Sequence, residues 1–168
     1  MKSIFKLLFA AFLIVAPLTA NAQSNVAHIN VQQLISEMPE VIAAQNELAK
    51  LEKDYTTQID NAFKEFQTKA QSYSSDAANQ TDVTNQARQK ELESMQTNLQ
   101  EFRDSAAQEL QKKQMDLMTP LLEKARNAIT KVGEEQGFNY VIDSSPNGGI
   151  ILANGKDLLA DVKKELGF

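Results

Sequence analysis

The sequence predicts an α+β protein that is mostly α: a long antiparallel helical hairpin, a coiled-coil-like arm, stands on a small β-body, and several copies of the chain assemble. Three observations predict this fold. A helical apolar stripe runs from Pro39 to about Val132 with a single polar interruption. Short strand patterns lie on both sides of that stripe. So few short strands leave open edges, which further copies of the same sheet would cover.

The first 22 residues are predicted to be a secretory signal peptide. Lys2 and Lys6 make a positive start, an apolar run follows from Leu7 to Val15, and Ala20-Asn21-Ala22 is an A-x-A cleavage site. The apolar run is too short for a membrane span, and no cysteine follows it to carry a lipid, although a retained N-terminal anchor remains the alternative. We expect cleavage after Ala22 and a soluble chain outside the cytoplasm.

Composition narrows the possible partners. The chain of 168 residues has a formal net charge of −5, which becomes more negative once the lysines of the leader are removed. This charge argues against nucleic acid as a partner, because such binding is largely phosphate electrostatics. The sequence contains no Cys and 1 His, so we expect no disulfide, no metal site and no other cofactor. Residues 23–168 have the length of a single domain.

The first elements of that domain are a strand, a short helix and the start of a long helix. The stretch from Val26 to Asn30 alternates as a short strand, with Ala27 and Ile29 on one face. The stretch from Val31 to Glu37 is predicted to be a short helix. Pro39 suits the first position of the next helix, where its missing N–H costs nothing.

Two matched apolar stripes predict the arm. Apolar or small residues recur at helical spacing, partly with an eleven-residue repeat that gives a nearly straight seam. In the first helix they are Val41, Ala44, Leu48, Leu51, Tyr55, Ile59, Ala62, Phe66, Ala70 and Tyr73. In the second they are Leu92, Met95, Leu99, Phe102, Ala106, Leu110, Gln114, Leu117, Leu121, Ala125, Ala128 and Val132. The polar stretch from Ser74 to Asn85 between them predicts the turn at the tip of an antiparallel hairpin.

Pro120 lies inside the second helix of the arm. A proline there removes a backbone hydrogen bond and crowds the preceding turn, so we predict a kink or a short break near Thr119. The position is either a tolerated bend or a hinge that lets the arm swing, and Pro120 is the candidate hinge residue.

The C-terminal segment is predicted to supply strands and a closing helix. Phe138 to Ile142 is predicted as a strand, Asn147-Gly148-Gly149 as a turn and Ile150 to Leu152 as a second strand. Asp157 to Leu166 is an amphipathic helix with Asp157 as its N-cap. The base is therefore expected to comprise residues 23–38 and 133–168, the arm residues 39–132 with its tip near 74–85, and the oligomer contacts Val26, Ile29, Tyr140, Ile142 and Ile151.

Three segments carry a family resemblance. They are AHINVQQLISEMPEV after the leader, GEEQGFNYVID before the predicted turn, and GKDLLADVKKEL near the end. These segments, and the order of elements along the whole mature chain, resemble the Skp/OmpH family of periplasmic chaperones. The resemblance implies a jellyfish-like homotrimer in the periplasm, whose helical arms surround a central cavity. It also implies that this cavity holds unfolded outer-membrane β-barrel proteins without ATP and keeps them from aggregating.

The charge of the tip departs from the better-known members, whose tips are positive. Here Asp76 and Asp82 lie at the predicted turn, with Lys69 and Arg88 beside them. This near balance argues against electrostatic capture of acidic clients and against contact with lipopolysaccharide or a membrane surface. Binding is expected to depend on apolar and polar contacts instead.

Five residues along the arm are candidates for client contact: Phe63, Phe66, Tyr73, Met95 and Phe102. Phe66 and Phe102 are expected to pack in the seam between the two helices. Phe63 falls beside the seam and Tyr73 lies near the tip, where the seam thins, so these two are the better candidates for the cavity wall. Met95 offers a flexible contact in either position.

Two other functions compete with a chaperone. A coiled-coil spacer or adaptor of the cell envelope would hold a folded partner. It would need a specific apolar or charged docking motif at the tip, and the tip sequence shows none. An enzyme is not expected. Without Cys, with 1 His and without a metal-ligand cluster, only carboxylates, lysines, serines and tyrosines remain, scattered over solvated helix faces.

Overall fold

The computed structural model describes residues 25–146 and 148–168. The predicted signal peptide and Asn147 of the predicted turn lie outside these residues. The elements are β1 (Val26–Ile29), α1 (Val31–Glu37), α2 (Pro39–Asp76), a 3-10 turn (Ala77–Asn79), α3 (Asp82–Glu135), β2 (Tyr140–Asp143), β3 (Lys156–Asp157) and α4 (Leu159–Leu166). The predicted architecture is confirmed: a long helical hairpin stands on a small sheet built from both ends of the domain. Within the described ranges, no helix has an apolar stretch long enough to span a membrane.

The sheet has β1 at its centre. Its three strands are ordered β2-β1-β3, and both neighbours run parallel to β1. Ala27 pairs with Val141 on one side and with Lys156 on the other. Ala27 and Ile29 share a buried face, as predicted. An N-terminal strand therefore lies between two C-terminal ones, which requires the arm to return the chain to its starting point.

The predicted strand from Ile150 to Leu152 is wrong, because the third strand is Lys156–Asp157. Ile151 is fully exposed, at 101% of its reference area. Since β3 runs parallel to β1 on the side opposite β2, the chain needs a long crossing segment before it can pair. Gly155 permits the final approach, because a Cβ atom there would lie 2.8 Å from the carbonyl oxygen of Val26.

The other C-terminal strand begins at Tyr140 rather than Phe138, because Phe138 takes part in ending α3. Gly137 adopts a φ of 74° and donates its N–H to the carbonyl of Glu134 at 3.0 Å. Phe138 donates its N–H to the carbonyl of Gly133 at 2.9 Å. These two hydrogen bonds form a Schellman motif, which satisfies the last carbonyls of the helix.

The hydrophobic core lies at the base of the arm. It gathers buried residues from β1, α1, the start of α2, the end of α3 and the C-terminal segment. They are Ala27, Ile29, Leu34, Met38, Val41, Ala125, Ala128, Val132, Leu158 and Val162. Because both chain ends contribute, the first turns of α2 and the last turns of α3 belong to the same packed unit as the sheet.

The two arm helices pack along the predicted stripes. Every residue predicted for the seam is buried or half-buried except Gln114, which is exposed. Lys113 takes its place in the seam and forms an ion pair with Glu47 at 2.8 Å. A long lysine can cover apolar surface with its methylene groups while its charged end reaches a carboxylate, a possibility that apolar spacing does not reveal.

The tip of the hairpin is tighter than predicted. Helix α2 continues to Asp76 and α3 begins at Asp82, so the turn is shorter than the polar stretch in the sequence. The Thr81 hydroxyl accepts a hydrogen bond from the N–H of Thr84 at 3.2 Å and caps α3. The Asn85 side chain donates to the carbonyl of Ala77 at 2.9 Å. The polar residues of the tip thus satisfy helix ends rather than form an open loop.

Two local predictions need correction. The sequence predicts a kink or a short break near Thr119. Helix α3 runs through Pro120 without interruption, so the short break is wrong and the kink stays a prediction. Asp157 belongs to β3, and Leu158 occupies the N-cap position of α4. The Asp157 carboxylate nevertheless accepts the N–H of Leu159 at 2.9 Å, so it satisfies the start of the helix from one residue farther back.

Candidate functional site

The edge of the sheet at β2 presents apolar side chains. Tyr140 is 63% exposed and Ile142 is 38% exposed. Ile151, in the crossing segment, is fully exposed, while Val26 is half-buried. Ile29 is only 1% exposed and packs inside its own protomer. Of the predicted base residues, Tyr140, Ile142 and Ile151 therefore offer the surface that a neighbouring copy could cover.

An open groove lies next to this edge and has a volume of about 530 Å³. Its walls come from α1, the last turns of α3 and the segment leading into β2, and they include Val31, Ile35, Leu122, Ile129, Phe138 and Val141. The groove includes Val141, whereas Tyr140 and Ile142 lie on the other face of β2, so the groove and the exposed edge are two neighbouring apolar surfaces at the base.

The middle of the arm holds an aromatic pair in the seam. The rings of Tyr55 and Phe102 meet edge to face, with 6.1 Å between their centroids and 74° between their planes. Phe102 is half-buried, which agrees with its predicted place in the seam. The Tyr55 hydroxyl donates to the Glu109 carboxylate across the two helices, and this hydrogen bond raises the pKa of Tyr55.

Phe63 and Phe66 form a second aromatic pair at the side of the seam. Their rings stack with 6.5 Å between centroids and 21° between planes. Phe66 is half-buried in the seam, whereas Phe63 is 40% exposed beside it. The guanidinium of Arg103 on α3 lies 6.0 Å from the centre of the Phe63 ring. Phe63 therefore has the exposure that the sequence predicts for a wall residue, and it has a cation beside it.

The tip is held by a network of charged and aromatic side chains. Arg88 pairs with Asp76 at 3.0 Å and lies over the ring of Tyr73, 4.7 Å from its centroid. Glu91 accepts hydrogen bonds from Lys69 at 2.5 Å and from the Tyr73 hydroxyl at 2.6 Å. Tyr73, predicted as a wall residue, thus already uses its hydroxyl and its ring within the hairpin. Met95, one turn below on α3, is half-buried.

These contacts shift the ionisation of the tip. The hydrogen bond from Lys69, followed by that from Tyr73, lowers the pKa of Glu91. The Arg88 hydrogen bond does the same for the pKa of Asp76. The pKa of Lys69 is raised by its hydrogen bond to Glu91. The positive charges that flank the tip are therefore used to hold the hairpin closed.

A polar cluster near the end of β2 has a structural role. The Asp143 carboxylate accepts hydrogen bonds from the Ser145 hydroxyl at 2.6 Å and from the Val31 N–H at 3.3 Å. Burial opposes its charge, but these bonds and that from the Ser145 N–H lower the pKa of Asp143. The His28 ring contacts Ser144 at 3.2 Å rather than the serine that Asp143 holds, so no nucleophile relay is formed. The cluster fastens β2 to the start of α1.

In residues 25–146 and 148–168, no group of three or more metal-binding side chains lies together.

The residues that matter along the arm, and that sequence reasoning missed, are Glu91 and Arg103. Both lie opposite candidate aromatic residues once the hairpin is closed. The register of the hairpin is the signal that identifies them, because the residue numbers of facing pairs, such as Tyr55 with Glu109 and Asp76 with Arg88, add to the same value.

Comparison with known proteins gives consistent matches. The sequence model of a family described as "Outer membrane protein (OmpH-like)" matches residues 25–166. The chain is 28% identical over 148 residues to the chaperone protein Skp of Yersinia enterocolitica, covering 85% of this chain and 86% of that one. It is 20% identical over 151 residues to the chaperone protein Skp of Pectobacterium atrosepticum, covering 90% of each.

The fold also matches a solved structure. A crystal structure from Caulobacter crescentus CB15, assigned as an outer membrane chaperone (OmpH-like), superposes with a TM-score of 0.76. The match covers 84% of this chain and 83% of that one, at 12% sequence identity. At this identity the likeness concerns the fold: a helical arm on a small sheet.

Proposed function

Since the chain belongs to the family of OmpH-like outer membrane proteins, we propose that it is an ATP-independent periplasmic holdase that binds unfolded outer-membrane β-barrel proteins and prevents their aggregation. The clients would lie in a cavity between the helical arms of an oligomer. The chaperone names of the two Skp relatives support this proposal. Export to the periplasm would use the predicted signal peptide with cleavage after Ala22.

The observation that carries the proposal is the thin, partly exposed seam of the arm. Helix α2 has 38 residues, so at a rise of about 1.5 Å per residue it extends roughly 57 Å from the base. Apart from its first turns, α2 has no fully buried residue. Leu99 and Ala106 of α3 are buried between base and tip, and most other apolar side chains of the arm are half-exposed. Such a surface can make many weak contacts with an unfolded chain without a fixed site.

An oligomer, a trimer by analogy with the family, would complete the base. The apolar β2 edge and the neighbouring groove are costly to leave in water, and an unpaired edge strand invites association. We propose that Tyr140, Ile142 and Ile151 contact a neighbouring copy. Residues 23–38 and 133–168 would then form the shared body, and residues 39–132 the arm.

Pro120 is proposed as a hinge between the body and the arm. It lies on the exposed side of α3, slightly closer to the tip than the buried residues Ala125 and Ala128, which pack in the core. A proline inside a helix lacks one backbone hydrogen bond, so bending there costs less than elsewhere in α3. Arms that bend at this level could adapt the cavity to clients of different size.

The tip contributes little electrostatic attraction in this proposal. Lys69 and Arg88 are paired with Glu91 and Asp76, and the whole chain is acidic. Client binding at the tip would therefore depend on apolar and polar contacts and change little with salt. Contact with lipopolysaccharide or a membrane surface is not part of the proposal.

Suppression of aggregation tests the proposal. A urea-unfolded outer-membrane β-barrel is diluted into buffer with and without residues 23–168, which include every residue that the structure describes. Light scattering is followed at low and moderate salt without nucleotide. Suppression near one client per oligomer at both salt concentrations is expected. If no ratio suppresses scattering, the proposal fails and the protein is better regarded as an envelope spacer with a folded partner.

A further inference from the structure

The arm carries a pocket beside Phe63 that differs from its other grooves. The pocket has a volume of about 450 Å³ and lies between α2 and α3, with Leu99 at its floor. Phe63 and Phe66 form one wall, and Arg103 is the only charged residue that lines it. A groove nearer the base is lined instead by several acidic and basic residues, including Glu47, Lys113 and Asp116.

Arg103 has a free positive charge at this pocket. Among the described residues it takes part in none of the ion pairs, and unlike the other cations without an ion pair it lines an otherwise uncharged pocket with an aromatic wall. No Asp or Glu lines the pocket. The pocket therefore combines an apolar aromatic wall with one unpaired cation, a pattern that is complementary to an aromatic ligand bearing a negative charge.

We propose that this pocket is a subsite for an aromatic side chain with a neighbouring carboxylate in an unfolded client. The proposal deepens the proposed function and rests on it, because the ligand is part of an unfolded chain. The aromatic ring would pack on Phe63 and Leu99, where ring pairs gain beyond the area they bury. The carboxylate would pair with Arg103, a fork of N–H donors suited to carboxylates.

The rim of the pocket fits an extended peptide. Gln96 and Gln100 lie along α3 one turn apart. The Gln100 amide already donates to the Asp104 carboxylate at 3.0 Å, so it offers a peptide its carbonyl oxygen and its second N–H, while the Gln96 amide can donate and accept. The Arg103 guanidinium lies beside the ring of Phe63. An aromatic residue of a client can therefore contact the aromatic wall while the acidic residue next to it in the sequence contacts Arg103. An acidic aromatic dipeptide is the smallest ligand that tests both features.

Methyl NMR on residues 23–168, labelled at leucine and valine, tests the proposal. The probes are N-acetylated, C-amidated dipeptides: Phe-Asp, Phe-Asn and Leu-Asp. The methyl signals of Leu99 report on the pocket, and those of exposed Val83 at the tip serve as a reference. Phe-Asp is expected to bind roughly twofold to fivefold more tightly than Phe-Asn, and roughly twofold to tenfold more tightly than Leu-Asp.

Variants separate the two features. Arg103→Gln should abolish the preference for Phe-Asp over Phe-Asn, and Phe63→Leu should abolish the preference for Phe-Asp over Leu-Asp. Lys90→Gln and Phe168→Leu, exposed residues outside the pocket, should leave both preferences intact. Equal binding of the dipeptides, no response at Leu99, or preferences unchanged in Arg103→Gln and Phe63→Leu would overturn the proposal.

The outcome is independent of the holdase test. If the dipeptides show no preference while the same preparation suppresses aggregation, the subsite is refuted and the holdase function stands. If the preferences follow the two variants but aggregation is not suppressed, the pocket binds the dipeptides as described, but the holdase function is refuted and with it the assignment to an unfolded client.

Discussion

Arg88 lies over the ring of Tyr73 at 4.7 Å while its guanidinium pairs with Asp76, so one side chain from α3 holds two residues of α2. The contact lies at the end of the arm farthest from the core. The 3-10 turn has no buried residue, so the hairpin is stabilised there by this contact together with the hydrogen bonds of Lys69 and Tyr73 to Glu91. The tip of the arm is therefore closed by polar contacts rather than by a hydrophobic core.

Replacing Arg88 by Ala should loosen the tip without unfolding the base. Loss of the ring contact and of the ion pair should speed backbone hydrogen exchange around Thr81 by roughly twofold to fivefold, a range typical of an exposed cation–π contact. Hydrogen exchange followed by mass spectrometry measures this rate. Lys90→Ala, at an exposed position two residues further along the same helix, is the control. Unchanged exchange in Arg88→Ala would show that the helix caps and the hydrogen bonds to Glu91 close the tip without Arg88.

Acid should weaken the tip through Glu91. Its pKa is lowered from the usual 4.5 in the folded protein, so the unfolded chain binds a proton more readily. The stabilisation is therefore present above about pH 4.5 and is lost as the pH falls through the lower folded-state pKa. Thermal unfolding is followed by circular dichroism between about pH 3 and 6. As the pH falls, the melting temperature of Glu91→Gln should decrease less than that of the original chain. The melting temperature of Glu101→Gln, which removes an exposed carboxylate, should decrease as much as that of the original chain.

The core at the base should be sensitive to truncation. Leu158 is fully buried, at 0% exposure, where it packs with Val162 and the sheet. Leu158→Ala should lower the free energy of unfolding by about 2–5 kcal/mol. Leu152→Ala, at a position 75% exposed, should change the stability of the protomer little. Urea unfolding compares the two, and a similar loss in both variants would contradict the buried position of Leu158.

The exposed apolar edge should control assembly. A charge at Tyr140 or Ile151, as in Tyr140→Glu and Ile151→Asp, should shift the chain toward monomers, because a buried unpaired charge is costly at an interface. Sedimentation velocity measures the mass. Val83→Asp places the same kind of charge on an exposed apolar residue at the tip and should leave assembly intact. Oligomers that persist in both base variants would place the interface elsewhere.

Pro120 should make α3 easier to bend. Pro120→Ala restores a backbone N–H and should stiffen the helix, which narrows the distribution of distances between spin labels at the tips of neighbouring arms. Electron–electron resonance distance measurements report that distribution. Met115→Ala, a truncation at an exposed position of the same helix that leaves the backbone N–H unchanged, is the control. An unchanged distribution in Pro120→Ala would leave the proline as a tolerated bend.

Much of the fold follows from periodicity alone. The spacing of apolar residues predicts the seam of both arm helices, and the alternation of Ala27 and Ile29 predicts the buried face of β1. The third strand could not be found in this way. Ile150, Ile151 and Leu152 have strong strand propensity, but pairing depends on how the chain crosses the sheet, and Lys156–Asp157 pairs although its residues do not favour strands.

The polar part of the arm was equally hard to predict. Arg103 is unremarkable in the sequence and gains meaning only when α3 places it against Phe63. Tyr73 is an apolar stripe residue by spacing, yet its surroundings depend on Glu91 and Arg88 across the hairpin. Contacts between distant residues depend on register, and the register of a hairpin becomes certain only when its turn is known.

The position of β1 has a consequence for the order of folding. Val26 pairs with Tyr140, and Ala27 with Lys156, so the central strand finds no partner until nearly the whole chain has arrived. The arm helices, by contrast, join residues on either side of a local turn and can form early. During synthesis or export from the N-terminus, the arm would be built first and the base last. Assembly through the base would then select chains that are complete.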